Sequence, residues 1–89
     1  MSDTLSVRFT LRACAEPGLL PRLLQPFAKR DLTPDAMTAR READLLLVEF
    51  WMDAMDPGLV HLVAGNLGQV IGVLEVQAEK RRPALSAAA

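Results

Sequence analysis

Residues 5–30 read LSVRFTLRACAEPGLLPRLLQPFAKR. Two periods meet in this stretch. Leu5, Val7, Phe9, Leu11 and Ala13 alternate with Ser6, Arg8, Thr10 and Arg12, the pattern of a strand with one buried face. Ala15-Glu16-Pro17-Gly18 breaks the alternation. Leu19, Leu20, Leu23, Leu24 and Phe27 then recur at spacings of three and four, which is one face of a helix from Leu19 to Arg30. Lys29 and Arg30 fall in its last turn, where positive charge suits the helix dipole. Pro17-Gly18 reads either as plain turn punctuation or as a helix start. In the second reading the N–H groups of Gly18, Leu19 and Leu20 face outward past a bare glycine, a seat for a carboxylate. Pro21 falls about where intrahelical bonding begins. Pro26 falls later, and its missing N–H predicts a kink near Arg22.

Asp31-Leu32-Thr33-Pro34 ends the helix. Residues 35–42 alternate weakly and read as a short edge strand, whose charges deter stray pairing. Ala43-Asp44 is a turn. Residues 45–54, LLLVEFWMDA, are rich in strand formers, with Leu46, Val48, Phe50 and Met52 toward the core. Asp56 is an N-cap with Pro57 at the first helical position, and Leu59, Val63 and Leu67 carry a second helical stripe to Gly68. VIGVLEVQ, residues 70–77, is the last strand. Strand, helix, strand, strand, helix, strand with right-handed crossovers gives an α+β, ferredoxin-like βαββαβ sandwich. Its four-stranded antiparallel sheet carries two helices on one face. Residues 1–78 form this single domain and residues 79–89 a flexible C-terminal tail. The open sheet face carries Arg8, Thr10, Arg12, Glu49, Trp51 and Glu75.

Half of the 89 residues are apolar, so the chain folds, but so small a domain buries a limited core and gains from a partner surface. The formal charge of −1 has both signs interspersed, which leaves no electrostatic case for nucleic acid or an anionic membrane. Cys14 is the single cysteine, so neither an intramolecular disulfide nor a cysteine-rich metal site is expected. The sequence has no positively charged leader and no apolar run of ~18 residues, and a cytoplasmic protein is expected. His61 stands alone, without a partner at ligand spacing. No cofactor motif and no paired acid and base are visible, so the chain reads as a non-enzyme. The enzymatic alternative is a site completed across a dimer. An RNA-binding sheet would need stacking aromatics on the first strand, where Arg8, Thr10 and Arg12 stand instead.

Phe9, Leu11, Glu16, Pro17, Gly18, Leu20, Leu23, Leu24, Phe27 and Arg30, followed by a weak strand, resemble an ACT domain, a small-molecule regulatory module. The run NLGQVIGVLEVQ, residues 66–77, resembles the end of the short regulatory subunit of acetolactate synthase. The resemblance covers residues 5–77. It implies a homodimer formed side by side through helix one and strand two. It places an amino-acid effector at that interface, on Glu16, Pro17, Gly18, Leu19, Leu20 and a polar residue near strand two, Thr33. Valine-responsive subunits have Gly-aromatic-Asn after the helix, where this chain has Asp31-Leu32-Thr33. The resemblance further implies a partner, the acetolactate synthase catalytic subunit of branched-chain amino-acid biosynthesis; Leu47 and Trp51 on the open sheet face are the candidate contacts, since a large aromatic amid polar residues is a common anchor. A free-standing amino-acid sensor for another metabolic enzyme is the alternative.

Overall fold

In the computed structural model, which describes residues 4–81, the chain forms six elements. They are β1 (Leu5–Cys14), α1 (Leu19–Ala28), β2 (Ala36–Glu42), β3 (Leu45–Met55), α2 (Pro57–Gly68) and β4 (Val73–Arg81). The strands make one sheet in the order β2-β3-β1-β4, with every neighbouring pair antiparallel. This is the βαββαβ sandwich that the two alternating periods announce. Among the described residues, no helix is long and apolar enough to cross a membrane.

The pleat decides what is buried. Val7, Phe9, Leu11 and Ala13 of β1 and Val48, Phe50 and Met52 of β3 turn to the helices and are nearly inaccessible. Leu19, Leu23 and Phe27 of α1 and Val60, Val63 and Leu67 of α2 close over them. Phe27 joins the layers, edge-on to Phe9 with ring centroids 5.8 Å apart and tilted over Phe50 at 4.7 Å. Such pairs add about 0.5–1.5 kcal/mol beyond the area they bury.

The ends of the elements differ from the sequence reading in instructive ways. α1 stops at Ala28, and Lys29 and Arg30 form the turn that follows. Asp31 then adopts φ 56, Asp31 N–H donates to the Ala28 carbonyl at 3.1 Å, and Leu32 N–H donates to the Phe27 carbonyl at 2.9 Å. That is a Schellman closure, with Leu32 packed on the core as its apolar lock. The expected bend at Arg22 does not interrupt α1, which continues through Pro26 with that ring buried in its last turn.

Asp56 caps α2 as expected, its Oδ1 accepting from Gly58 N–H at 2.8 Å. β4 begins at Val73 rather than at residue 70. Val70 and Ile71 close α2 and turn, with Val70 N–H on the Leu67 carbonyl and Gly72 at φ 102. β4 then runs to Arg81, paired along β1 as far as Ser6. Residues 79–81, expected in the tail, are therefore strand, and residues 82–89 of that tail lie outside the described residues.

Candidate functional site

β1 ends at Cys14, and the loop after it is held from two sides. Cys14 N–H donates to the Gly72 carbonyl at 2.8 Å, on the approach to β4. Ala15 N–H donates to the Asp44 carbonyl at 2.9 Å, in the β2–β3 turn. The loop is thus fixed before α1 starts. Gly18 is the N-cap of α1 at φ 81, a conformation an L side chain rarely adopts. Glu16 folds back beside Gly72, where an added β-carbon would lie 3.0 Å from its Oε1. The same Oε1 faces Arg22 at 3.6 Å, a half-exposed pair of small energetic weight.

Between this loop and the β2–β3 hairpin lies an open cleft of about 370 Å³. Glu16, Pro17, Gly18, Leu20 and Pro21 form one wall, and Arg41 and Leu46 the other. Its size sits at the small end of ligand sites, which run from about 300 to 1,000 Å³. The walls are mainly apolar, and Glu16 and Arg41 are the charged residues among them, the Glu16 carboxylate turned toward Gly72 and Arg22. Arg41 Nε donates to the Ala43 carbonyl at 2.9 Å, which fixes the side chain across the hairpin.

Four of the expected site residues, Glu16, Pro17, Gly18 and Leu20, meet in this cleft. Leu19 does not. Its side chain is fully buried in the core, and its N–H donates to the Glu16 carbonyl at 3.3 Å. The position expected to face a ligand is instead the anchor of α1. Helical periodicity requires it, because Leu19, Leu23 and Phe27 share the buried face. Thr33 is exposed beyond the far end of α1, about 15 Å away at 1.5 Å per helical residue. One protomer does not bring it to the loop. Arg41 is the residue that sequence reasoning missed. It reaches the cleft through the register that sets it opposite Leu46, and a weak edge strand read alone contains no sign of that pairing.

The open sheet face is a separate surface. Arg8 faces Glu79 at 3.0 Å and Glu49 at 3.7 Å, and Arg12 faces Glu75 at 3.1 Å. Trp51 is half-buried beside Arg8 in a hollow of about 150 Å³. Leu47 lines a larger one of about 450 Å³ with Arg12, Thr38 and Arg40. Both expected partner contacts therefore lie on one face, opposite the helices. His61 is exposed on α2 and Cys14 is half-buried. Among the described residues, no three His, Cys, Asp or Glu side chains cluster as metal ligands.

A β2-β3-β1-β4 sheet under two helices, with a ligand-sized cleft where β1 hands over to α1, defines a ferredoxin-like sandwich. The chain belongs to the ACT-like domain family, whose sequence profile it matches over residues 2–85. Domains of this family are regulatory, non-catalytic modules. The fold is similar to that of the ACT domain from GTP pyrophosphokinase of Chlorobium tepidum, with a TM-score of 0.73 at 10% identity over 85% of this chain and 99% of that one. It is also similar to the C-terminal domain of the MgtC protein from Mycobacterium tuberculosis, with a TM-score of 0.67 at 13% identity over 97% of both chains. At these identities the likeness is one of fold. No curated protein sequence matches the chain at a significant level.

Proposed function

We propose that this chain is an amino-acid-sensing regulatory module that acts on a metabolic enzyme in the cytoplasm. The observation that carries this reading is the cleft at the Glu16–Leu20 loop, apolar in its walls, with Glu16 and Arg41 as its charged lining residues. A small zwitterion with an aliphatic side chain matches that composition. The test is thermal unfolding of the chain across a panel of L-amino acids. A ligand that binds only the folded state raises stability by RT ln(1 + [L]/Kd), about 2.7 kcal/mol at a hundredfold excess over Kd. A panel that leaves Tm unchanged at millimolar concentration removes this reading.

The module works as a homodimer through β2 and α1. All seven residues of β2 are exposed, and Leu24 of α1 and Met37 of β2 are exposed large apolar side chains. Antiparallel pairing of β2 with its copy about Ala39 sets Met37 against Arg41 and Thr38 against Arg40, with no like charges directly opposed. The other edge is less suited. Pairing β4 with its copy about Gln77 would set Glu75 against Glu79. The β2 arrangement also runs Thr33 of the second copy toward the first copy's β2–β3 turn, beside the cleft. The residue that one protomer leaves about 15 Å away thereby returns to the site.

A second reading rests on the run Asn66–Gln77 and its resemblance to the acetolactate synthase regulatory subunit. In it the dimer activates that enzyme through Leu47 and Trp51 on the open face. Half-buried aromatics amid polar residues are frequent anchors at interfaces. The test is the addition of this chain to a purified acetolactate synthase catalytic subunit. An unchanged rate, with no co-migration on gel filtration, removes the second reading and leaves the first in place.

A further inference from the structure

Among the described arginines, Arg8, Arg12, Arg22 and Arg40 each face a carboxylate within 4 Å. Arg41 faces none. Its Nε is taken by the Ala43 carbonyl, which leaves both terminal nitrogens without an acceptor among the described residues, at the mouth of an apolar cleft. The loop opposite is poor in donors. Pro17 and Pro21 have no N–H, and that of Leu19 is held by the Glu16 carbonyl. The Glu16, Gly18 and Leu20 N–H groups remain there for an anion, each an uncharged single donor. The guanidinium fork, fixed at one corner and free at the other two, is the strongest carboxylate receptor on this cleft.

We propose that Arg41 is the specificity-determining residue of the cleft, and that it restricts the ligand to one carrying a free carboxylate beside an aliphatic body. This rests on the reading of the cleft as an amino-acid site. It moves the recognition of the acid from the glycine loop to the β2–β3 hairpin. Glu16 lines the opposite wall with its carboxylate turned to Gly72 and Arg22, which leaves the acid of the ligand as the charged group the cleft reads, and Leu20, Pro21 and Leu46 cover the side chain. Ala43 takes part through its carbonyl, which holds the Arg41 side chain over the cleft. The selectivity follows from one charge-assisted pair at the mouth of the cleft. An amide in place of the acid loses the bidentate contact and leaves the guanidinium solvated by water.

The test is isothermal titration calorimetry on the full chain with L-valine and L-leucine against L-valinamide and L-leucinamide. The wild-type chain is expected to prefer each acid over its amide by about tenfold or more, the scale of one charge-assisted hydrogen bond. Arg41→Met is expected to abolish that preference while leaving amide affinity unchanged. Arg41→Lys keeps the charge without the fork, and part of the preference is expected to survive. An acid preference that persists in Arg41→Met overturns the role of Arg41 and leaves the cleft as the site. Equal binding of acid and amide by the wild-type chain has the same consequence. Absence of binding by all four probes to the wild-type chain overturns the cleft reading itself, and the role of Arg41 with it.

Discussion

Asp56 shows how much one side chain can settle. Its Oδ1 takes the N–H of Gly58 at 2.8 Å, and Pro57 supplies a first helical residue that has no N–H to satisfy. The unpaired donors of the α2 start are reduced at both positions. Asp56→Ala removes the acceptor and is expected to lower stability by about 1 kcal/mol, read as a drop in urea midpoint at unchanged m-value. Asp56 is remote from the cleft, so amino-acid binding is expected to be unaffected. At Gly72 the constraint is different. Its φ of 102 is a conformation an L side chain rarely adopts, and an added β-carbon would press on the Glu16 carboxylate at 3.0 Å.

At the scale of elements, the β2–β3 hairpin is the weakest-specified part of the fold. Its two-residue turn places Ala43 at φ 55, where glycine is favoured at the first turn position. Ala43→Gly is expected to raise stability, by up to about 1 kcal/mol, because the left-handed conformation costs an L residue about 1–2 kcal/mol and glycine returns part of that as unfolded-state entropy. Thermal unfolding reads the change directly. The same hairpin marks the limit of what the sequence could tell. β1, α1, β3 and α2 were legible because each carries an apolar period long enough to count. The start of β4 was not. Val70 and Ile71 look like strand residues, but Gly72 turns the chain and they belong to the close of α2. Its end was hidden because Ala78, Glu79, Lys80 and Arg81 lack alternation, and their strand state comes from pairing with β1. Arg41 was hidden for the same reason. Only the long-range register brings it to the loop at Glu16.

At the scale of the whole molecule, a domain with one small core exposes the face it does not bury. α1 and α2 cover β1 and much of β3, while the helix side of β2 is left bare, with Met37, Ala39 and Arg41 in a row. In the proposed dimer, pairing of two copies along β2 would cover that face and narrow the cleft. Ala39→Glu sets two carboxylates opposite one another across the two-fold axis. It is expected to convert the dimer to monomer in sedimentation equilibrium, while the circular dichroism of the fold is retained. A wild-type chain that sediments as a monomer at the same concentration would refute the β2 dimer. Loss of the dimer is also expected to weaken amino-acid binding, because Thr33 of the second copy leaves the cleft.

The most direct test of the central claim is a titration of the ¹⁵N-labelled chain with L-valine and L-leucine, followed by heteronuclear NMR. The account predicts saturable shifts in the amides of Glu16, Gly18, Leu20, Arg41 and Leu46, with the open sheet face around Trp51 unmoved. Shifts confined to that open face, or none at millimolar amino acid, would contradict it.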